Sequence, residues 1–311
     1  MPSATLDRPT RPAEEGRAAR WLAPVLWLNA ALQVIIIVTG GIVRLSGSGL
    51  GCPTWPQCVP GSYTPVAQQA QGFHKYIEFG NRTLTGVLLI VAVAALVLIL
   101  KAAPRRHLIV KAALVLAVVV LQAVIGGITV LVGLHPITVA AHFLLSGALV
   151  GIATNLYLTR DEPDGAKHWL VPPLVRSLSL VTCVAGAVVL TLGTVVTGSG
   201  PHSGDAVTPA RFGFDPRTIS WLHADAVMLF IGLVVACWIA ARLTATAGSS
   251  AASAWAGVLL VTLAQGVVGY TQYLTSLPWL LVLTHMLLAA LLVVTLTRAM
   301  VASRARAATS A

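Results

Sequence analysis

Charge is what this chain has least of. Asp, Glu, Lys and Arg make up only 10% of its 311 residues, and just ten of them are acids. A soluble domain carries about a quarter charged residues, so a water-facing globule is excluded. Hydrophobic residues fill 57% of the chain, in long runs that recur over nearly its whole length. That pattern predicts an all-α polytopic membrane protein. The shortage of acid leaves a net charge of +10. Elsewhere such a surplus would suggest nucleic acid. Here the cations lie in short loops and tails between apolar runs, where they set topology. The lipid bilayer, and no nucleic acid, is therefore the expected surrounding. Cysteine is sparse too, with four in all. No removable leader is expected, because residues 1–20 are polar and the first apolar run is long enough to stay in the bilayer.

Eight spans of about 20 residues, the length a bilayer core requires, are predicted. They cover roughly 22–43, 76–100, 109–132, 137–158, 177–198, 218–241, 253–275 and 279–299. Pro136, Pro172, Pro173, Pro216 and Pro278 fall near span starts, where proline suits a helix entry. Of the 20 Lys and Arg residues, 15 collect on one side, from Arg8 through Lys101, Arg160 and Arg242 to Arg306. By the positive-inside bias both termini are cytoplasmic, and the long loops 44–75 and 199–217 face outward.

The first outer loop holds Cys52-Pro53-Thr54-Trp55-Pro56-Gln57-Cys58. The spacing allows a small disulfide loop, in the compartment where disulfides persist. A structural bridge and a redox-active pair both remain open. A metal site is the weaker reading, with two thiols and no histidine between them. Cys183 and Cys237 fall inside spans and are expected to be inert.

The two halves of the chain repeat. Gln122, Val124, Gly126, His142 and Leu145 recur as Gln265, Val267, Gly269, His285 and Leu288, all 143 positions on. Val38-Thr39-Gly40 recurs as Val196-Thr197-Gly198 at offset 158, and an offset of 142 pairs Asn81 with His223. Four spans per half give the copies the same orientation, so the expected architecture is two pseudo-symmetric four-helix bundles.

Four of the eight histidines, His107, His135, His168 and His202, lie in predicted loops and are set aside. His74, His142, His223 and His285 sit at the outer ends of spans 2, 4, 6 and 8. The last three lie about 8–10 Å deep at 1.5 Å per residue, on helices running the same way. Two neutral imidazoles from facing helices suit a haem iron; a zinc site would show three or four ligands closer in sequence. The entry to span 2, Phe73 to Arg82, adds Lys75, Glu78, Asn81 and Arg82. Headgroup anchoring accounts for Lys75 and Arg82. It does not account for Glu78, which shares a helical face with His74 and Asn81.

Residues 38–58, Val-Thr-Gly-Gly-Ile-Val-Arg-Leu-Ser-Gly-Ser-Gly-Leu-Gly-Cys-Pro-Thr-Trp-Pro-Gln-Cys, resemble the haem A synthase family. So does Glu78-x-x-Asn81-Arg82, which is similar to that family's Glu-x-x-His-Arg. The resemblance covers all eight spans and the duplication. It implies oxidation of the C8 methyl of haem O to a formyl group by two hydroxylations, giving haem A. It implies a haem b cofactor ligated by His223 and His285 in the second half. The substrate haem would occupy the first half, with His142 as ligand, Glu78 near the reacting methyl, and Arg82 paired to Glu78 or a propionate. The Cys52–Cys58 bridge matches the family's first outer loop. One departure is Asn81, where the family has histidine: either His74 replaces it, or His142 holds the substrate iron alone. The implied division is a tail 1–21, a substrate half 22–158, a linker 159–176, a haem b half 177–299 and a tail 300–311. Haem O would be supplied by a haem O synthase, and homo-oligomer formation stays open. The alternative is a di-haem b-type electron-transfer protein acting on quinol.

Overall fold

The computed structural model describes residues 11–202, 204–205, 208–246 and 249–307. Within them are eight long helices: α1 (Arg11–Leu45), α2 (His74–Ala102), α3 (Arg106–Leu131), α4 (Pro136–Leu158), α5 (Pro173–Ser199), α6 (Pro216–Thr244), α7 (Ala251–Leu274) and α8 (Trp279–Ala302). All eight are long and apolar enough to cross a membrane. The expected spans all appear. The first helix, however, begins at Arg11 instead of near residue 22. Its first described turns run through a polar stretch that hydropathy alone reads as tail.

Proline opens α4, α5 and α6 at the first helical position. There its missing N–H costs nothing and its fixed φ is already helical. Asp215 caps α6 by accepting from the Thr218 amide at 2.8 Å. Within each half the helices close a ring, α1–α2–α3–α4 and α5–α6–α7–α8. Each ring has its own apolar core. One centres on Leu26, Ile99, Leu108, Val115 and Leu156, the other on Phe230, Val234, Trp255 and Val258. A small third cluster, Ile37, Val150 and Ala290, joins α1 and α4 to α8.

The repeat is visible in the backbone. Between α3 and α4, Gly133 and Leu134 take φ of 63° and 57°, and the Leu134 amide donates to the Thr129 carbonyl at 2.8 Å. Between α7 and α8, Ser276 and Leu277 take 62° and 60°, and the Leu277 amide donates to the Gln272 carbonyl at 2.7 Å. Left-handed leucine is unfavourable, yet both copies adopt it 143 positions apart.

The face carrying the linker and the chain ends is more structured than composition suggests. Strand β1 (Lys167–Trp169) pairs antiparallel with β2 (Arg304–Arg306). Glu162 binds Arg304 at 2.9 Å and Arg306 at 3.4 Å. The predicted linker is thus stitched to the predicted C-terminal tail. His107, expected in a loop, lies in the first turn of α3, where its Nδ1 meets Asp164 at 2.6 Å.

Candidate functional site

The first turns of α2 hold the loop 46–73 against the bundle. Cys52 and Cys58 are joined by a disulfide, and both are fully buried. Glu78 is buried beneath them, its Oε2 accepting from the Cys52 amide at 2.7 Å and its Oε1 from Arg82 Nη2 at 2.6 Å. Arg82 spends the rest of its guanidinium on the same loop. Nε donates to Glu78 Oε1, Nη1 to the Thr54 and Gln57 carbonyls, and Nη2 to the Cys52 carbonyl. A guanidinium has five N–H donors, and these contacts use them all. Lys75 is also buried, with Nζ donating to the Val66 and Ala67 carbonyls. Neither cation reaches out to headgroups; both pin the loop.

Glycines let the loop close. A Cβ on Gly127 would stand 2.3 Å from the Trp55 indole, so this loop residue fills the space that α3 leaves open. A Cβ on Gly51 would stand 2.3 Å from the His74 carbonyl oxygen.

Below the loop lies one cavity of about 720 Å³, lined from both halves. That lies within the range of about 300–1,000 Å³ typical of ligand pockets. Its walls include Glu78, Asn81, Arg82, His142, His223 and His285. The three histidines lie six or seven residues inside α4, α6 and α8, as their depth in the sequence predicts. Each ring leans on a glycine. An added Cβ would stand 3.2 Å from His142 Cε1 at Gly126, 3.2 Å from His285 Cε1 at Gly269 and 3.4 Å from His223 Cε1 at Gly193. Two of the rings have matching anchors. Gln122 Nε2 donates to the His142 carbonyl at 3.0 Å, and Gln265 Nε2 to the His285 carbonyl at 3.1 Å. His223 and His285 sit within electrostatic range of one another.

Two expected residues behave differently. Asn81 lines the cavity, but its Oδ1 accepts from Thr39 Oγ1 at 2.7 Å. His74 is exposed, binds Ser48 Oγ through Nδ1 at 2.8 Å, and is absent from the cavity wall. The structure therefore brings together Glu78, Asn81, Arg82, His142, His223 and His285, and leaves His74 outside. Asp225, the other acid at this level, is exposed on α6 away from the cavity. Trp55, Gln122 and Gln265 were not singled out as site residues. The two glutamines carried a signal, since they recur at the same offset as the histidines.

A family model described as COX15-CtaA, cytochrome oxidase assembly protein, matches residues 23–297. The chain belongs to that family. Among proteins similar to it is one named Heme A synthase from Bacillus pumilus (strain SAFR-032), 28% identical over 229 residues, 67% of this chain and 71% of that one. A Heme A synthase of Symbiobacterium thermophilum is 28% identical over 278 residues, 82% of this chain and 89% of that one. A Heme A synthase of Geobacillus kaustophilus is 29% identical over 134 residues, 42% and 41% of the two chains, so that match spans under half of either. Membership and the eight spanning helices make this a multi-pass membrane protein.

The residues of this COX15-CtaA chain fit an iron porphyrin. Nδ1 of His142, His223 and His285 is enclosed without a full hydrogen bond, although the Val189 carbonyl lies beside the His223 ring. Nε2 is then the nitrogen open to the cavity on each ring. Among the described residues no three His, Cys, Asp or Glu side chains converge as a metal-ion cluster. Isolated imidazoles across a wide apolar slot suit a flat macrocycle that brings its own four nitrogens.

Proposed function

We propose that this chain is a haem A synthase of the cell membrane, with both termini cytoplasmic and the disulfide loop outside. It oxidises the C8 methyl of haem O in two successive hydroxylations, and the resulting diol loses water to leave the formyl group of haem A. Residues 22–158 form the substrate half and residues 177–299 the haem b half. The observation that carries this reading is a single cavity lined by three imidazoles from α4, α6 and α8 and by Trp55 and Pro56 of the disulfide loop, in a chain of the COX15-CtaA family.

In the second half His223 and His285 would hold haem b, which supplies a one-electron acceptor when bound. In the first half His142 is the imidazole available to the iron of haem O. Asn81 is engaged with Thr39 and is a poor iron ligand, and His74 lies outside the cavity. His142 alone then grips the substrate from one side. Glu78 is placed as the base. Its carboxylate lines the cavity, and because every contact it makes is with a donor it is held in the ionised, acceptor form that a base needs. Arg82 fixes its rotamer, and the loop keeps bulk water away.

The test is haem extraction from cells that also make haem O. The wild-type chain should yield haem A, whereas Glu78→Gln should keep haem b and accumulate haem O. General base catalysis contributes about 10²–10⁴-fold, so haem A should fall to traces. Unchanged haem A in Glu78→Gln would remove Glu78 from the chemistry. Wild-type protein holding haem b without ever forming haem A would favour the di-haem electron carrier.

A further inference from the structure

We propose that Arg44 forms the seat for a propionate carboxylate of the bound porphyrin, at the seam between the two halves. The proposal rests on the haem reading above and adds which residue recognises an acid group of the macrocycle.

The first observation is an unused donor. Arg44 ends α1 and lines the cavity. Its Nη2 donates to the Thr197 carbonyl at 2.7 Å, while its Nε is enclosed with no partner. No salt bridge among the described residues includes Arg44. A half-buried guanidinium with an enclosed, unpaired Nε gains from an anion, and its planar fork matches a carboxylate.

The second observation is the charge of the wall. The cavity lining contains two arginines and one acid, Arg44, Arg82 and Glu78. Arg82 and Glu78 satisfy one another and the loop. Arg44 is left as the cation with donors to spare. A ligand that is flat and apolar yet carries carboxylates would complement this wall.

The third observation is position. Continuing the offset of 158 that pairs Thr39 with Thr197 pairs Arg44 with His202. His202 is not among the residues lining the cavity, so of the two Arg44 alone faces it. The loops that follow α1 and α5 meet here, with the Gly49 amide donating to the Gly204 carbonyl at 2.9 Å and Ser48 bridging to Asp205. Gly204 holds φ at 95°, which favours glycine, and its bare α-carbon leaves the path beside Arg44 open. Asp205 is the competing anion. Its Oδ2 already accepts from Thr208 Oγ1 at 2.9 Å.

The experiment titrates detergent-purified protein, produced under haem limitation, with protohaem and with its dimethyl ester, following the Soret band. The wild type should bind the free acid at least about tenfold more tightly than the ester. Arg44→Gln should abolish that preference by weakening the free acid alone. Arg44→Lys should restore part of it, since lysine keeps the charge without the fork. Equal binding of acid and ester by the wild type, or a preference that survives in Arg44→Gln, would overturn the proposal and leave Arg44 as a partner of Asp205 or a structural tie to Thr197. Should Arg44→Gln not fold, comparison of Arg44→Lys with wild type decides the matter. Failure of both haem forms to bind the wild type would sink the haem reading itself, whereas undiminished haem A formation without ester discrimination would sink only this seat.

Discussion

Arg82 shows how a residue's type can be legible while its task is not. Its cation at a span entrance reads as a headgroup anchor or a propionate partner. In the structure all its donors go to Glu78 and to three carbonyls of the disulfide loop. Backbone acceptors leave no mark in a sequence, so this role could not be read there. Lysine has three donors on a point charge and cannot span the same acceptors. Arg82→Lys should therefore loosen the loop at a cost of about 1–3 kcal/mol, the range for leaving buried acceptors unpaired. The measurement is the rate at which a mild reductant opens Cys52–Cys58; an unchanged rate would show that Arg82 does not hold the loop. Asn29 offers the opposite case. It is fully buried on α1, with neither its amide nitrogen nor its oxygen paired. An orphaned buried polar group costs about 1–3 kcal/mol, so Asn29→Leu should raise thermal stability by about that much. A lower melting temperature would mean that Asn29 has a partner when the protein is in lipid.

At the scale of elements, the α3–α4 and α7–α8 hairpins are the most readable parts of the molecule. Gln, Gly and His recur at one spacing because each does the same job twice: glutamine ties the turn bearing the histidine, and glycine clears a face for its ring. Gly269→Val should push His285 off its seat and lower bound haem b severalfold, visible as loss of the reduced α-band. Gly126→Val should act on His142, sparing haem b and lowering haem O retention. Gly86, with nothing within 4 Å of an added Cβ, is the control, and Gly86→Ala should be silent. The helix ends were less legible. α1 extends into a polar stretch, and β1–β2 forms between segments more than 130 positions apart. Local composition reports neither. The linker also carries a pH response. Asp164 is held below its ordinary value of 3.8, chiefly by the hydrogen bond from His107. A depressed carboxylate stabilises above its unfolded pKa and loses that contribution as pH falls through the folded one. Acidification below about 4 should free the linker from α3, seen as faster proteolysis between residues 159 and 172, and Asp164→Asn should show that rate already at neutral pH.

Taken whole, the molecule is two four-helix rings joined by the Ile37–Val150–Ala290 cluster, the shared cavity and the linker strands. The duplication announced the rings, since an even number of spans per copy keeps their direction. It did not announce the cavity common to both, because that depends on how α4 and α8 lean together. A protease cut within 159–172 should leave the two halves co-purifying through these contacts. Their separation would assign the assembly to the linker alone. In the site the rings differ at one pair of equivalent positions, Asn81 against His223. Thr39 occupies Asn81, so the first ring presents a single imidazole where the second presents two. On the haem reading, that asymmetry sorts a lodger from a resident. A macrocycle held on both faces stays for the life of the protein, while one held on a single face can be handed on, as a product must be. Prolonged washing in detergent should thus strip one porphyrin and spare the other.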